Sequence, residues 1–168
     1  MATLAELSRA DQLHLQAAQG WLGLRDWREA NHELDQLSPS TQLHPEVLRV
    51  RYEVYAAAKQ WDLAVEVARA VCKLVPESLW GWIHCAYALR ELKRTAEAWN
   101  VLLPVVNKFP DQYIIRYNLA CYACQLGRLK EAWKWLADAI DRADTKDVKL
   151  MALSDPDLEP LWADISQI

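Results

Sequence analysis

The chain has 168 residues, 52% of them apolar, enough for one domain with a substantial core. Nineteen Lys and Arg against 23 Asp and Glu leave a net charge of −4, without the concentrated basic charge that nucleic acid requires. Four cysteines do not make a disulfide framework at this size, and no apolar run approaches the roughly 20 residues of a membrane helix.

Only four glycines and few β-branched runs point to helices. At the N-terminus, Glu6, Arg9 and Asp11 interrupt any signal-peptide core, so the expected location is the cytoplasm, away from membranes. The first helix is predicted over 9–24, with Ser8 and Asp11 in a loose capping relation, and the second over 27–38, with Asp26 and Glu29 at capping-box spacing. The Ser-Pro-Ser stretch at 38–40 and the His44-Pro45 pair separate these from helices over 45–59 and 61–74. Val75-Pro76 precedes helices over 79–92 and 95–108, and Pro104 inside the latter predicts a kink on its outer surface. Phe109-Pro110 precedes helices over 113–126 and 129–142, with Gly127 between them. Residues 146–153 offer Val148, Leu150 and Leu153 to cover a terminal apolar face. Asp155 as N-cap and Pro156 at the first helical position then open a short helix whose stripe is Leu158, Leu161, Trp162 and Ile165.

These elements repeat. Ala30, Ala64, Ala98 and Ala132 stand 34 residues apart, and four places later come Leu34, Ala68, Leu102 and Leu136. Trp27 and Trp61, Pro76 and Pro110, Ala86 and Ala120, and Leu119 and Leu153 keep the same interval. A small residue at each marked position lets the two helices of a period approach closely.

The pattern resembles the tetratricopeptide repeat, Trp-x2-Leu-Gly-x2-Tyr, Ala-x3-Phe and Pro in 34 residues. The third period carries it as Trp82, Cys85, Ala86, Leu89, Ala98, Leu102 and Pro110, and the fourth as Arg116, Leu119, Ala120, Ala123, Ala132 and Leu136, with Asp144 in place of the proline. The second has Leu48, Tyr55, Ala64, Ala68 and Pro76, but bulky Tyr52 stands where a small residue is usual, which predicts a wider separation of its helices. The first is the most divergent, with Ala17, Ala18, Trp21, Ala30 and Leu34. The chain also resembles small free-standing bacterial proteins of this type, which as a group have no assigned activity. The resemblance implies an all-α fold, a right-handed α-solenoid of helix–turn–helix repeats in one domain over 1–168. Its repeats fall at about 11–44, 45–78, 79–112 and 113–146, with a capping segment at 147–168.

Cys121-x-x-Cys124 lies mid-helix, away from the N-terminal dipole that activates such thiols, and lacks the four ligands of a zinc site. His14, His32, His44 and His84 have no nucleophile or carboxylate partner by spacing, and no phosphate loop or His-Glu-x-x-His motif is present. The expectation is therefore a protein that is not an enzyme and uses no cofactor and no metal.

In the resembled family the first helices line a concave groove that receives peptide segments. By register, that lining includes Gln12, Leu15 and Gln19, then Glu46, Arg49, Glu53 and Ala56, then Trp80, Ile83, Tyr87 and Arg90, then Ile114, Tyr117, Asn118, Cys121 and Cys124. The family's cationic clamp for chaperone tails is absent, because its positions hold Arg49, Glu53, His84, Ile114 and Asn118, or one repeat earlier Leu15, Gln19, Val50, Trp80 and His84. The reading is a groove for a peptide or helical segment of a protein partner, against the alternative that Trp80 and Ile83 fill gaps between repeats. A second reading is a homo-oligomeric structural protein, such as a homodimer, that pairs through outer helices bearing Trp99, Trp133 and Trp135. The register has a direct test. Ala98→Leu overpacks the third helix pair and is expected to cost about 1–3 kcal/mol; an unchanged denaturation midpoint would show the register to be wrong.

Overall fold

The computed structural model describes residues 6–167. Among these residues the structure is helical, with no strand. Contacts divide the chain into two compact units, one running to Ala88 and one from Leu89 onward.

The first unit contains α1 (Arg9–Gly23), α2 (Trp27–Asp35), α3 (Pro45–Ala57), α4 (Trp61–Leu74) and most of α5 (Leu79–Glu91). α1 packs on α2 and α3 on α4, as the period implied. Ser8 caps α1 by accepting from the Asp11 amide at 3.1 Å, and Asp26 caps α2 by accepting from Glu29 at 3.2 Å. Asp11 also ties α1 to the turn after α2. Its carboxylate accepts from the Ser38 amide at 2.8 Å and the Ser38 hydroxyl at 2.6 Å, and these bonds hold its pKa down to about 2. Gly81 of α5 faces α4 so closely that a Cβ there would stand 3.0 Å from Cys72 Sγ and 3.1 Å from the Cys72 amide nitrogen.

The second unit contains the end of α5, α6 (Thr95–Leu102), α7 (Tyr113–Gln125), α8 (Leu129–Asp141), α9 (Thr145–Ser154) and α10 (Trp162–Ile165). A 3-10 segment, Pro156–Leu161, links α9 to α10. Pro104 does not kink a long helix, as expected from sequence, but ends it. α6 stops at Leu102 and Leu103–Val105 form a 3-10 turn, because proline cannot supply the next intrahelical hydrogen bond. Asp155 caps the 3-10 segment by accepting from Asp157 at 3.0 Å. Val148, Leu158, Leu161 and Ile165 are buried as expected, but Leu150 is exposed because it lies on the outer side of α9.

The repeat register is visible in burial. Ala30, Ala64, Ala98 and Ala132 are all completely buried, and so are Leu34, Ala68, Leu102 and Leu136. It is also visible in the turns. Arg25, Lys59, Lys93 and Gly127, again 34 residues apart, have φ of 62°, 56°, 62° and 73°. Each turn closes with the double bond of a Schellman motif. The Asp26, Gln60, Arg94 and Arg128 amides donate to Trp21, Tyr55, Leu89 and Ala123 carbonyls at 2.8–2.9 Å. The αL residues donate to Leu22, Ala56, Arg90 and Cys124. The all-α solenoid of helix–turn–helix repeats expected from sequence is thus the fold class observed.

Only at Gly127 does the αL residue lack a side chain, and nothing lies within 4 Å of a Cβ built there. Gly127→Ala therefore isolates the cost of left-handed backbone. It is expected to lower stability by about 1 kcal/mol, whereas Lys93→Gly leaves stability equal or higher; chemical denaturation of both variants checks the pair.

Candidate functional site

Two first-helix faces hold the residues that sequence assigned to binding. In the first unit, α3 presents Arg49 and Glu53 one turn apart, while α5 presents Trp80, Ile83, His84 and Tyr87. Trp80 and His84, four residues apart, stack with ring centroids 4.0 Å apart and planes at 18°. Tyr52 of α3 meets both edge-on, at 5.2 and 5.0 Å, and its hydroxyl donates to the His84 carbonyl at 3.1 Å. The bulk of Tyr52, unexpected for a helix-pair position, is thus directed at α5. The Arg49 guanidinium lies 5.5 Å from the Trp80 ring centroid and donates to Ser78 Oγ at 3.0 Å, while its buried Nε–H has no acceptor among the described residues.

Trp80, Ile83 and Arg49 are half-buried in this cluster. Tyr87 is 47% exposed and leans edge-on against Trp61 at 5.9 Å. Glu53 is exposed as a residue, yet partial desolvation raises its carboxyl pKa. Burial, with the Arg49 charge adding to it, holds the His84 imidazole below its ordinary pKa. His84 Nδ1 lies 2.8 Å from the Trp80 carbonyl, which only accepts, so Nδ1 carries the proton.

The second unit treats its assigned residues differently. Ile114 and Asn118 are half-buried, but Tyr117, Cys121 and Cys124 are buried. The expectation that Tyr117 and Cys121 line open space is corrected here, because the chain's own C-terminal segment lies on them. Tyr117 donates to Asp155 Oδ2 at 2.9 Å, and the Cys121 thiol reaches the same oxygen at 3.5 Å. Arg90 grips Asp157 with both arms, Nε to Oδ2 at 2.8 Å and Nη2 to Oδ1 at 2.5 Å, and Gln125 donates to Asp157 Oδ1 at 3.1 Å. Sequence reasoning read Asp155 only as a cap and overlooked Asp157 and Gln125. The available signal was the second acid, two residues after the first, in Asp-Pro-Asp-Leu.

The thiols have no catalytic poise. Burial raises the Cys121 pKa well above the usual range and pushes Cys124 up to about 11. Among the described residues no three His, Cys, Asp or Glu side chains converge as metal ligands, and no helix is long and apolar enough to cross a membrane. The outer tryptophans divide. Trp99 is buried, meets Trp135 edge-on at 6.2 Å and is covered by Arg128 at 5.5 Å. Trp133 instead borders a hollow of about 720 Å³ between α8 and the C-terminal segment, with Lys130, Lys134 and Leu161.

No family model and no curated protein sequence matches the chain. Solved structures do. "MamA 41-end from Desulfovibrio magneticus RS-1" is 20% identical, with a TM-score of 0.75 over 96% of this chain and 94% of that one. A structure titled "Crystal structure of MamA protein" is 11% identical, with a TM-score of 0.75 over 94% and 87%. Another, "Crystal structure of MamA", is 10% identical, with a TM-score of 0.72 over 82% and 80%. At these identities the likeness is one of fold.

The His84 geometry makes the first face pH-sensitive. Its folded pKa lies below the ordinary 6.5, so the stability it contributes is present above that value and is lost as pH falls below it. Wild type is expected to lose more stability between pH 7 and pH 5 than His84→Phe, which keeps a ring on Trp80 but cannot titrate; equal losses in urea denaturation would contradict this.

Proposed function

We propose that this protein is a non-catalytic interaction module of the cytoplasm, whose α3–α5 face binds a peptide or helical segment of a protein partner. One observation carries the reading: the Arg49–Trp80–His84–Tyr52 cluster is fixed by stacking, edge contacts and hydrogen bonds beside the exposed ring of Tyr87. Aromatic and Arg side chains supply most hot-spot energy in protein interfaces. Rings locked before binding lose little rotamer freedom when a partner arrives. Glu53 and Arg49 give the face one charge of each sign, so a partner segment can be oriented as well as held. The buried, protonated thiols and the committed Nδ1 of His84 support a binding role in place of chemistry. Self-association through the outer tryptophans gains no support from Trp99, which is spent on internal packing.

The test is partner capture from lysate with wild type, Tyr87→Ala and Trp80→Ala, each checked for folding by circular dichroism. Tyr87→Ala removes an exposed ring and is expected to weaken the captured partner about tenfold. If both folded variants hold every partner as tightly as wild type, the α3–α5 face is not the binding surface.

A further inference from the structure

The face of α7 that meets the C-terminal segment carries a row of hydrogen-bonding side chains already engaged by that segment. Tyr117, Cys121 and Gln125 stand at i, i+4 and i+8, so they form one stripe along α7. With Arg90 they aim five donor groups at two carboxylates, those of Asp155 and Asp157. The matched pattern in the segment is acid, any residue, acid, apolar: Asp155, Pro156, Asp157 and then Leu158, whose side chain is completely buried. Charge complementarity is explicit, since the Arg90 guanidinium is paired bidentately with Asp157. The segment is held in a manner suited to exchange. It is a 3-10 stretch, with weaker internal bonds than an α-helix, and Pro156 and Pro160 give it no amide donor at two positions.

We propose that this stripe is a binding site for a partner segment of Asp-x-Asp-apolar chemistry, and that the C-terminal segment is an intramolecular occupant which the partner displaces. The site shares no residue with the α3–α5 face, so the two readings stand or fall separately. An unoccupied stripe would leave the Tyr117 hydroxyl without its carboxylate and the Arg90 guanidinium with Glu91 alone, which favours an acidic occupant, internal or foreign.

The test uses a fluorescent synthetic peptide copying residues 153–165 and follows anisotropy against the full chain. The variant Asp155→Asn/Asp157→Asn weakens the internal occupant and leaves the receptor intact. It is expected to bind the peptide at least about tenfold more tightly than wild type. Adding Arg90→Gln, or replacing the second Asp of the peptide by Asn, should abolish that gain. A folded double variant with no saturable binding, or with wild-type affinity, overturns the proposal. So does light scattering that shows the double variant forming a dimer without taking up peptide, the mark of segments exchanged between copies. If the double variant does not fold, Asp157→Asn alone must show the same preference. If that also fails, wild type at saturating peptide decides, because displacement must speed hydrogen exchange of the 157–165 amides and unchanged exchange overturns the proposal.

Discussion

The close approach of paired antiparallel helices at a single buried small residue governs everything else in this structure. Ala30, Ala64, Ala98 and Ala132 have no exposed surface, and a larger side chain at any of them would overpack its surroundings. One turn further on, Leu34, Ala68, Leu102 and Leu136 complete the same seam. Because the seam consumes one flank of each helix, the other flank of a first helix remains for something else. In α3 and α5 that flank carries Arg49, Glu53, Trp80 and Tyr87; in α7 it carries Tyr117, Cys121 and Gln125. The candidate surfaces follow from where the small residues lie.

The turns that reverse the chain within each pair add a second constraint. Each requires one left-handed residue, yet three of the four are Arg25, Lys59 and Lys93. The steric penalty, roughly 1–2 kcal/mol per residue, is offset by the two backbone bonds each turn closes, worth about 0.5–1.5 kcal/mol apiece. A turn that reverses the chain and satisfies carbonyls at a helix end therefore tolerates a long cation whose head extends into water. Gly127 announces such a turn in the sequence. A left-handed lysine cannot be told from any other surface lysine, so three turns were legible only through the period.

The period made the helices legible, because each buried position depends on neighbours within the same 34-residue unit. Helix ends predicted at 24, 74 and 142 fall at Gly23, Leu74 and Asp141. Where an element was decided by something outside the period, sequence reasoning failed. Pro104 truncates α6 because the chain could leave the helix there and make a 3-10 turn, an alternative no propensity reveals. Tyr117 and Cys121 were assigned to open space because the residue that accepts from both, Asp155, belongs to the segment after the last repeat. A clue was nonetheless present. Leu119 through Cys124 are consecutive residues without a charge, and all six are buried, which a helix covered on one side cannot achieve. The Trp80–Tyr87 face was legible because its rings recur at helical spacing on one element, and its stacking with His84 is an i, i+4 contact.

The two faces differ in what they would discriminate. On the α3–α5 face the rings are satisfied by one another, so a partner gains contact area there and, apart from the Arg49 Nε–H, meets no buried side-chain donor lacking an acceptor among the described residues. Such a surface tolerates variation in the segment it holds, since apolar mismatches are penalised weakly. Around α7, Arg90, Tyr117, Cys121 and Gln125 are committed to the two carboxylates, and a segment lacking either acid takes a partner from the buried Tyr117 hydroxyl or from Arg90. That penalty exceeds the loss of an equivalent apolar contact, because the donor has surrendered water and receives nothing in return. An internal segment already satisfying those donors raises the threshold again, since a newcomer must match both carboxylates before it gains anything. In the proposed roles, affinity on one face would thus follow buried aromatic area, and selectivity on the other the spacing of two acids, Asp155 and Asp157.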